Sequence, residues 1–140
     1  MKTIKKLSYT LVLVLTAAAL ITSCQSRAEK ERLEKEKTMF EEARNETTAK
    51  LEEWRDDIDY RINDINRRLE DASDEMKDGL QAAKEALTKE RSDIDRVLND
   101  VKNATQETWD DVSKFTEETY DKTKRKAEEI AKDIEEWFEK

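Results

Sequence analysis

Side chains able to do chemistry are few in this chain, and they are scattered. Cys24 is the only thiol, and none of the 140 residues is a histidine. Without histidine there is no Ser-His-Asp triad, no imidazole general base and no His-bearing zinc or iron site. Gly79 is the single glycine, so a glycine-rich loop that cradles phosphate cannot be built. A lone cysteine forms no internal disulfide. The closest approach to a metal motif is Asp74, Asp78, Gly79 and Glu85, spaced like positions of an EF-hand calcium loop. Met76 stands where that loop needs an oxygen ligand, and calcium takes about six or more. These carboxylates are therefore expected on the outside of a helix. The expectation is a non-enzymatic chain with no catalytic residue, no metal site and no cofactor.

Charge narrows the partners. Lys2, Lys5 and Lys6 precede any acid, which leaves 24 bases against all 35 acids beyond residue 23, a net charge of −11. A body this acidic repels nucleic-acid phosphates and anionic lipid headgroups, so neither is an expected general partner. One exception is local: Lys122, Lys124, Arg125 and Lys126 cluster ahead of Ile130, Ile134, Trp137 and Phe138. That order suits either a membrane-surface helix or, more economically, a bundle helix with a solvated charge run.

Cys24 gains meaning from what precedes it. Met1–Lys6 is basic, Leu7–Ile21 is apolar, and Ile21-Thr22-Ser23-Cys24 follows. This is the order of a secretory signal. The apolar run is shorter than the about 20 residues of a membrane span, and Ser8, Thr10 and Thr16 interrupt it. The four residues Ile21–Cys24 resemble the bacterial lipobox. The resemblance implies cleavage before Cys24 and a diacylglycerol on its sulfur. Residues 1–23 are then a signal peptide, and Cys24 is the point of lipid attachment to the cell envelope. Gln25, where Asp would favour inner-membrane retention in a Gram-negative cell, points to the outer membrane. Each buried acyl CH₂ adds about 0.8 kcal/mol of membrane affinity, so two or more chains hold without help from the acidic body.

The elements that follow are helical by period. Residues 24–45 read as a lipid-anchored charged spacer; in Ser26–Lys37 only Ala28 and Leu33 can pack, and Glu31 is placed to pair with Lys35. Residues 46–140 read as the bundle. Leu51, Trp54, Ile58, Ile62, Ile65, Leu69, Ala72, Met76, Leu80, Ala83 and Leu87 take ten steps over 36 residues, a mean of 3.6. Ile94, Leu98 and Val101 continue the stripe, with Arg91 breaking it once. Asp57–Arg61, Asp64–Arg68 and Glu85–Lys89 are acid-to-base pairs four apart along its flank. The stripe passes Gly79 in phase, so Gly79 reads as a weak point and Asn99–Thr105 as the better break. A second helix is expected from Gln106. It opens on an eleven-residue echo, Thr105–Asp110 and Thr116–Asp121, which puts Trp109 and Tyr120 on one face. A helix stripe must bury itself, so the expected fold is all-α: an antiparallel hairpin, or a three-helix bundle if the chain also bends near Ser73–Gly79. Trp54, Trp109 and Trp137 are expected in its core.

Ala49-Lys-Leu-Glu-Glu-Trp54, the Ile/Asp-rich helix after it and Glu107-Thr-Trp-Asp-Asp-Val112 resemble the small coiled-coil stress-response proteins of bacteria and cyanobacteria. The resemblance covers roughly residues 47–126. Thr108 stands where that family usually has alanine. The resemblance implies a stress-linked helical protein acting by protein–protein contacts, with itself or with an envelope partner. A second layout is that of murein-lipoprotein-type tethers, which join a C-terminal lysine to peptidoglycan. Lys140 would serve, although a cation at a helix C-terminus also has a dipole explanation. An apolipoprotein-like lipid-binding helix is the third alternative.

Overall fold

A computed structural model describes residues 26–139 with their side chains; the expected signal peptide 1–23, Cys24 and Lys140 lie outside the described residues. The chain forms three helices in order, α1 (Lys2–Asp71), α2 (Asp74–Asn103) and α3 (Trp109–Phe138), and no strand among the described residues. It divides into two units, Met1–Phe40 and Glu41–Lys140. In the first, the described stretch is helix with side chains exposed as far as Met39. Leu33 and Met39 face solvent, and charge pairs run along the surface: Arg27 with Glu31 at 3.5 Å and Arg32 with Glu36 at 3.3 Å. Glu31 thus meets Arg27 ahead of it, where Lys35 was the expected partner.

The second unit is a three-helix bundle built from the C-terminal part of α1, α2 and α3. Cross-helix contacts give its register. Along α1 from Glu52 to Asp59, the partners on α2 run backwards, from Lys102 (2.7 Å) to Arg91 (2.5 Å). On α3 they run forwards, from Thr123 beneath Trp54 to Phe138 beside Arg68. Helices α1 and α2 are therefore antiparallel, and α3 returns parallel to α1. The core joins the apolar stripe, Leu51, Trp54, Ile58 and Ile65 on α1 and Leu80, Ala83, Leu87, Ile94, Leu98 and Val101 on α2, to Val97 beside it and to Ala127, Ile130 and Ile134 on α3. Ile62, Leu69 and Ala72 pack against it at the edge.

The first turn is short because the stripe barely notices it. α1 stops at Asp71 and α2 starts at Asp74, so the bend is Ala72–Ser73, ahead of Gly79. Ser73 takes the extended backbone of an N-cap residue, and its carbonyl accepts the N–H groups of Met76 and Lys77 at 3.0 Å. Asp74 and Glu75 place negative charge in the first turn, where the helix dipole favours it. The Ser73 side chain makes no capping hydrogen bond, so α2 opens on the extended backbone of Ser73 and the two acids after it. The second turn falls where expected, but α3 starts at Trp109 and not at Gln106. The Asn103 side chain returns a hydrogen bond to the Asn99 carbonyl at 2.7 Å and closes the end of α2. Thr105–Thr108 then make a β-turn, with Thr108 N–H on the Thr105 carbonyl (3.2 Å) and Thr105 N–H on the Thr108 hydroxyl (3.0 Å). Gln106 and Glu107 are spent in that turn.

Gly79 has a different use from the one its sequence position suggests. A Cβ there would meet the ring of Trp137 at 3.1 Å. The α2 backbone is bare at this point so that the last tryptophan of α3 can lie on it.

Candidate functional site

The helix α3 bears the residues singled out for possible binding, and its inner face is unlike the other two. Thr116, Thr119 and Thr123 are its buried residues over the first half, followed by Ala127, Ile130 and Ile134. These positions are three or four apart, the period of one helix face. Threonine at such spacing gives little hydropathy signal, so this half of the face was invisible to a search for apolar stripes. Thr116 turns its hydroxyl back to the Val112 carbonyl at 2.7 Å, and Thr123 turns its own to the Tyr120 carbonyl at 3.0 Å. Trp109, Val112 and Tyr120 pack at the margin of the core, on the shared face that the eleven-residue echo requires.

The tryptophans are structural anchors of this arrangement. Trp54 is buried, and its indole N–H donates to Thr123 Oγ1 at 3.0 Å. The Tyr120 ring stands edge-on to it with centroids 5.9 Å apart, and Lys50 Nζ lies 4.2 Å from the Tyr120 centroid. Lys50, Leu51 and Trp54, the Lys-Leu-x-x-Trp element, therefore act together at the α1–α3 seam. Trp137 packs on Gly79, and Phe138 is exposed beneath the Arg68 guanidinium at 5.0 Å.

The basic run Lys122–Lys126 lies outside the core, apart from Thr123. Lys122 is 3.9 Å from Asp93, and Lys126 is 3.2 Å from Glu129. The apolar residues that follow it, Ile130 and Ile134, are buried in the bundle. Asp74, Asp78 and Glu85 lie exposed along α2, with Asp74 held by Lys77 at 3.1 Å. Among the described residues no three acidic or cysteine side chains gather as a metal site, and no helix is long and apolar enough to cross a membrane.

Charge pairs elsewhere follow the helical spacing. Arg61 and Arg68 reach Asp57 and Asp64 at 2.7 Å. The Arg68 and Arg67 guanidiniums hold the Asp64 carboxyl below the usual carboxylate range against a smaller cost of burial. Glu85 takes a hydrogen bond from Gln81 and not from Lys89. The gap that Arg91 leaves in the stripe is filled by its neighbour. Arg91 turns outward to Asp59 and Asp95, at 2.5 and 2.6 Å, while Glu90 turns in. Glu90 is 6% exposed, the one charged side chain buried among the described residues.

Grooves open on the bundle, and two of them adjoin the residues described above. One, of about 130 Å³, runs between α1 and α3 beside Tyr60, Arg61, Arg68 and Ile134. The other, of about 390 Å³, lies at the α2–α3 turn beside Asn103, Thr108 and the exposed Phe115. Neither brings a nucleophile to a general base. Comparison of the chain with protein-family models, with curated proteins and with solved structures finds no match.

Proposed function

We propose that this chain is a non-enzymatic lipoprotein of the bacterial cell envelope, held by acyl chains on Cys24, whose helical bundle serves stress-linked protein–protein contacts. The observation that carries the reading is the run Ile21-Thr22-Ser23-Cys24, set directly behind a basic start and an apolar stretch. A sole cysteine at that place has a chemical use there and none elsewhere. The described surface supports a contact role in water. Charged side chains cover the outside, and the apolar residues of α2 and α3 are turned into their own core, leaving no broad apolar face for lipid. Lys50, Leu51 and Trp54, which carry the resemblance to the stress proteins, fix α3 in the bundle, so that motif supports the fold that would present the surface.

Three measurements test this. Intact mass of the membrane fraction is expected to show a chain that begins at a lipid-modified Cys24. A soluble, unmodified chain or one that keeps residues 1–23 rejects the anchor. Residues 26–140, which cannot be acylated, are expected to stay with the soluble fraction in vesicle flotation. Salt-sensitive flotation on anionic vesicles would replace protein contacts with lipid binding. Abundance is expected to rise under osmotic or envelope stress, and an unchanged level removes the stress link.

A further inference from the structure

Position 90 lies on the core face of α2, one step beyond Leu87 and one before Ile94. A glutamate occupies it, nearly covered, and its Oε2 has no hydrogen-bond partner. An ionised carboxylate shut away without a donor is costly, while its protonated form is much less so. The groups around it do not repair the deficit. From α2, Lys89 attracts the charge and Asp93 repels it; from α3, Lys122 and Lys126 attract it. Lys122 and Lys126 are exposed and lie against Asp93 and Glu129. On α1, Arg61 is tied to Asp57, and Asp59 to Arg91. Burial is the largest influence and pushes the Glu90 carboxyl above the usual carboxylate range, with the lysines pulling the other way.

Among the three helices, α3 gives the core the fewest large apolar side chains, Ile130 and Ile134. Its buried face over the first half is threonine, and two of the three hydroxyls are spent on their own helix. We propose that Glu90 makes the attachment of α3 to the rest of the bundle pH-dependent: α3 is closed on α1 and α2 in acid and loosens as the pH rises. The sign follows from linkage. A carboxyl that holds its proton more tightly folded than unfolded stabilises the fold fully at a pH below its unfolded value. That contribution is lost as the pH rises through its folded value. Ionised Glu90 is relieved when α3 moves out and admits water or lets Lys122 and Lys126 swing in. The same movement uncovers Ile130, Ile134 and Trp137. The device needs nothing of the lipid anchor.

The test compares the full-length chain in nonionic detergent with Glu90→Gln, which keeps the shape and cannot ionise. Melting is followed by circular dichroism from about pH 4 to about pH 8, a span that brackets carboxylate titration. The variant's Tm relative to wild type is expected to climb with pH, by about 4 °C or more over the range. At the upper end, hydrogen exchange along α3 is expected to be faster in wild type than in the variant, with α1 and α2 protected equally in both. A Tm difference that is the same at every pH overturns the proposal, and so does faster exchange spread evenly over all three helices. Carbon-13 titration of Glu90 in the wild-type chain stands independently of the variant's folding. A midpoint above the ordinary glutamate range supports the device, and a midpoint within that range overturns it.

Discussion

The two seams of the bundle are made differently. Helices α1 and α2 supply most of the large apolar side chains of the core: Leu51, Ile58 and Ile65 from one, and Leu80, Leu87, Ile94 and Val101 from the other, all essentially covered. Covering one such side chain contributes about 1.5–3 kcal/mol. Where α3 closes the bundle, three buried threonines and Ala127 precede the first isoleucine. A threonine buries less apolar area and brings a hydroxyl that must be satisfied. The first seam therefore holds a helical hairpin together, and the second decides how firmly the third helix is laid on it. A region with few buried apolar contacts opens at lower free energy than the rest of a fold.

The sharpest way to break this comparison is Ile65→Asp. Ile65 is 2% exposed in the core, and the cations that share its groove, Arg61 and Arg68, are already tied to Asp57 and Asp64. An unpaired buried charge belongs to the short list of changes costing more than about 4 kcal/mol. Circular dichroism is expected to show a non-cooperative melt or loss of the folded bundle.

The next pair sets the seams against each other. Ile58→Ala in the hairpin seam is expected to cost about 2–5 kcal/mol by chemical denaturation. Thr116→Val in the α3 seam keeps the volume, removes a buried hydroxyl and ends its bond to the Val112 carbonyl, a type of bond that slightly weakens helices. It is expected to be neutral or to gain up to about 1 kcal/mol. Equal losses at the two sites would remove the distinction.

How much of this was legible in advance depended on which residues carried it. The α1 and α2 faces were plain, because leucine and isoleucine dominate their 3.6 period. The helical class followed from that period and from the near absence of glycine and the absence of proline. The inner face of α3 was hidden, since Thr116, Thr119 and Thr123 look like surface residues until the helix is placed. Glu90 was hidden for the same reason, and Arg91 took the blame for a break in the stripe that its neighbour makes. The bend at Ala72–Ser73 falls at the near edge of the expected Ser73–Gly79, although the apolar phase runs on through this two-residue turn.

The bond from Trp54 to Thr123 joins the strong seam to the weak one, and it is a smaller effect. Trp54→Phe keeps most of the buried ring and loses the N–H donor. Thr123→Val removes the acceptor. Either alone is expected to cost about 1 kcal/mol, and a double-mutant cycle is expected to recover a coupling of about 0.5 kcal/mol or more. No coupling in the cycle would mean that α3 is held by its isoleucines alone.

Gly79→Ala has the smallest expected effect, because two opposed terms meet at one carbon. Alanine in a helix interior is favoured over glycine by about 1 kcal/mol. The added Cβ stands 3.1 Å from the Trp137 ring, tighter than an ordinary contact, so the indole must give by a few tenths of an ångström. Trp137 is only partly buried and sits in the last turn of α3, next to exposed Phe138. The end of the weakly held helix can move by that much, and the helix term is offset but not reversed. The net change is expected to lie within about 0.5 kcal/mol of zero. Fluorotryptophan NMR distinguishes this balance from indifference. One of three resonances, that of Trp137, is expected to shift in Gly79→Ala while those of Trp54 and Trp109 stay in place. A full gain of about 1 kcal/mol with no shift would show that Trp137 does not rest on the bare backbone of α2. Gly79→Leu removes the balance altogether. Its side chain takes the space of the indole, so Trp137 is expelled, and the loss is expected in the α3 seam while the hairpin keeps its protection from exchange.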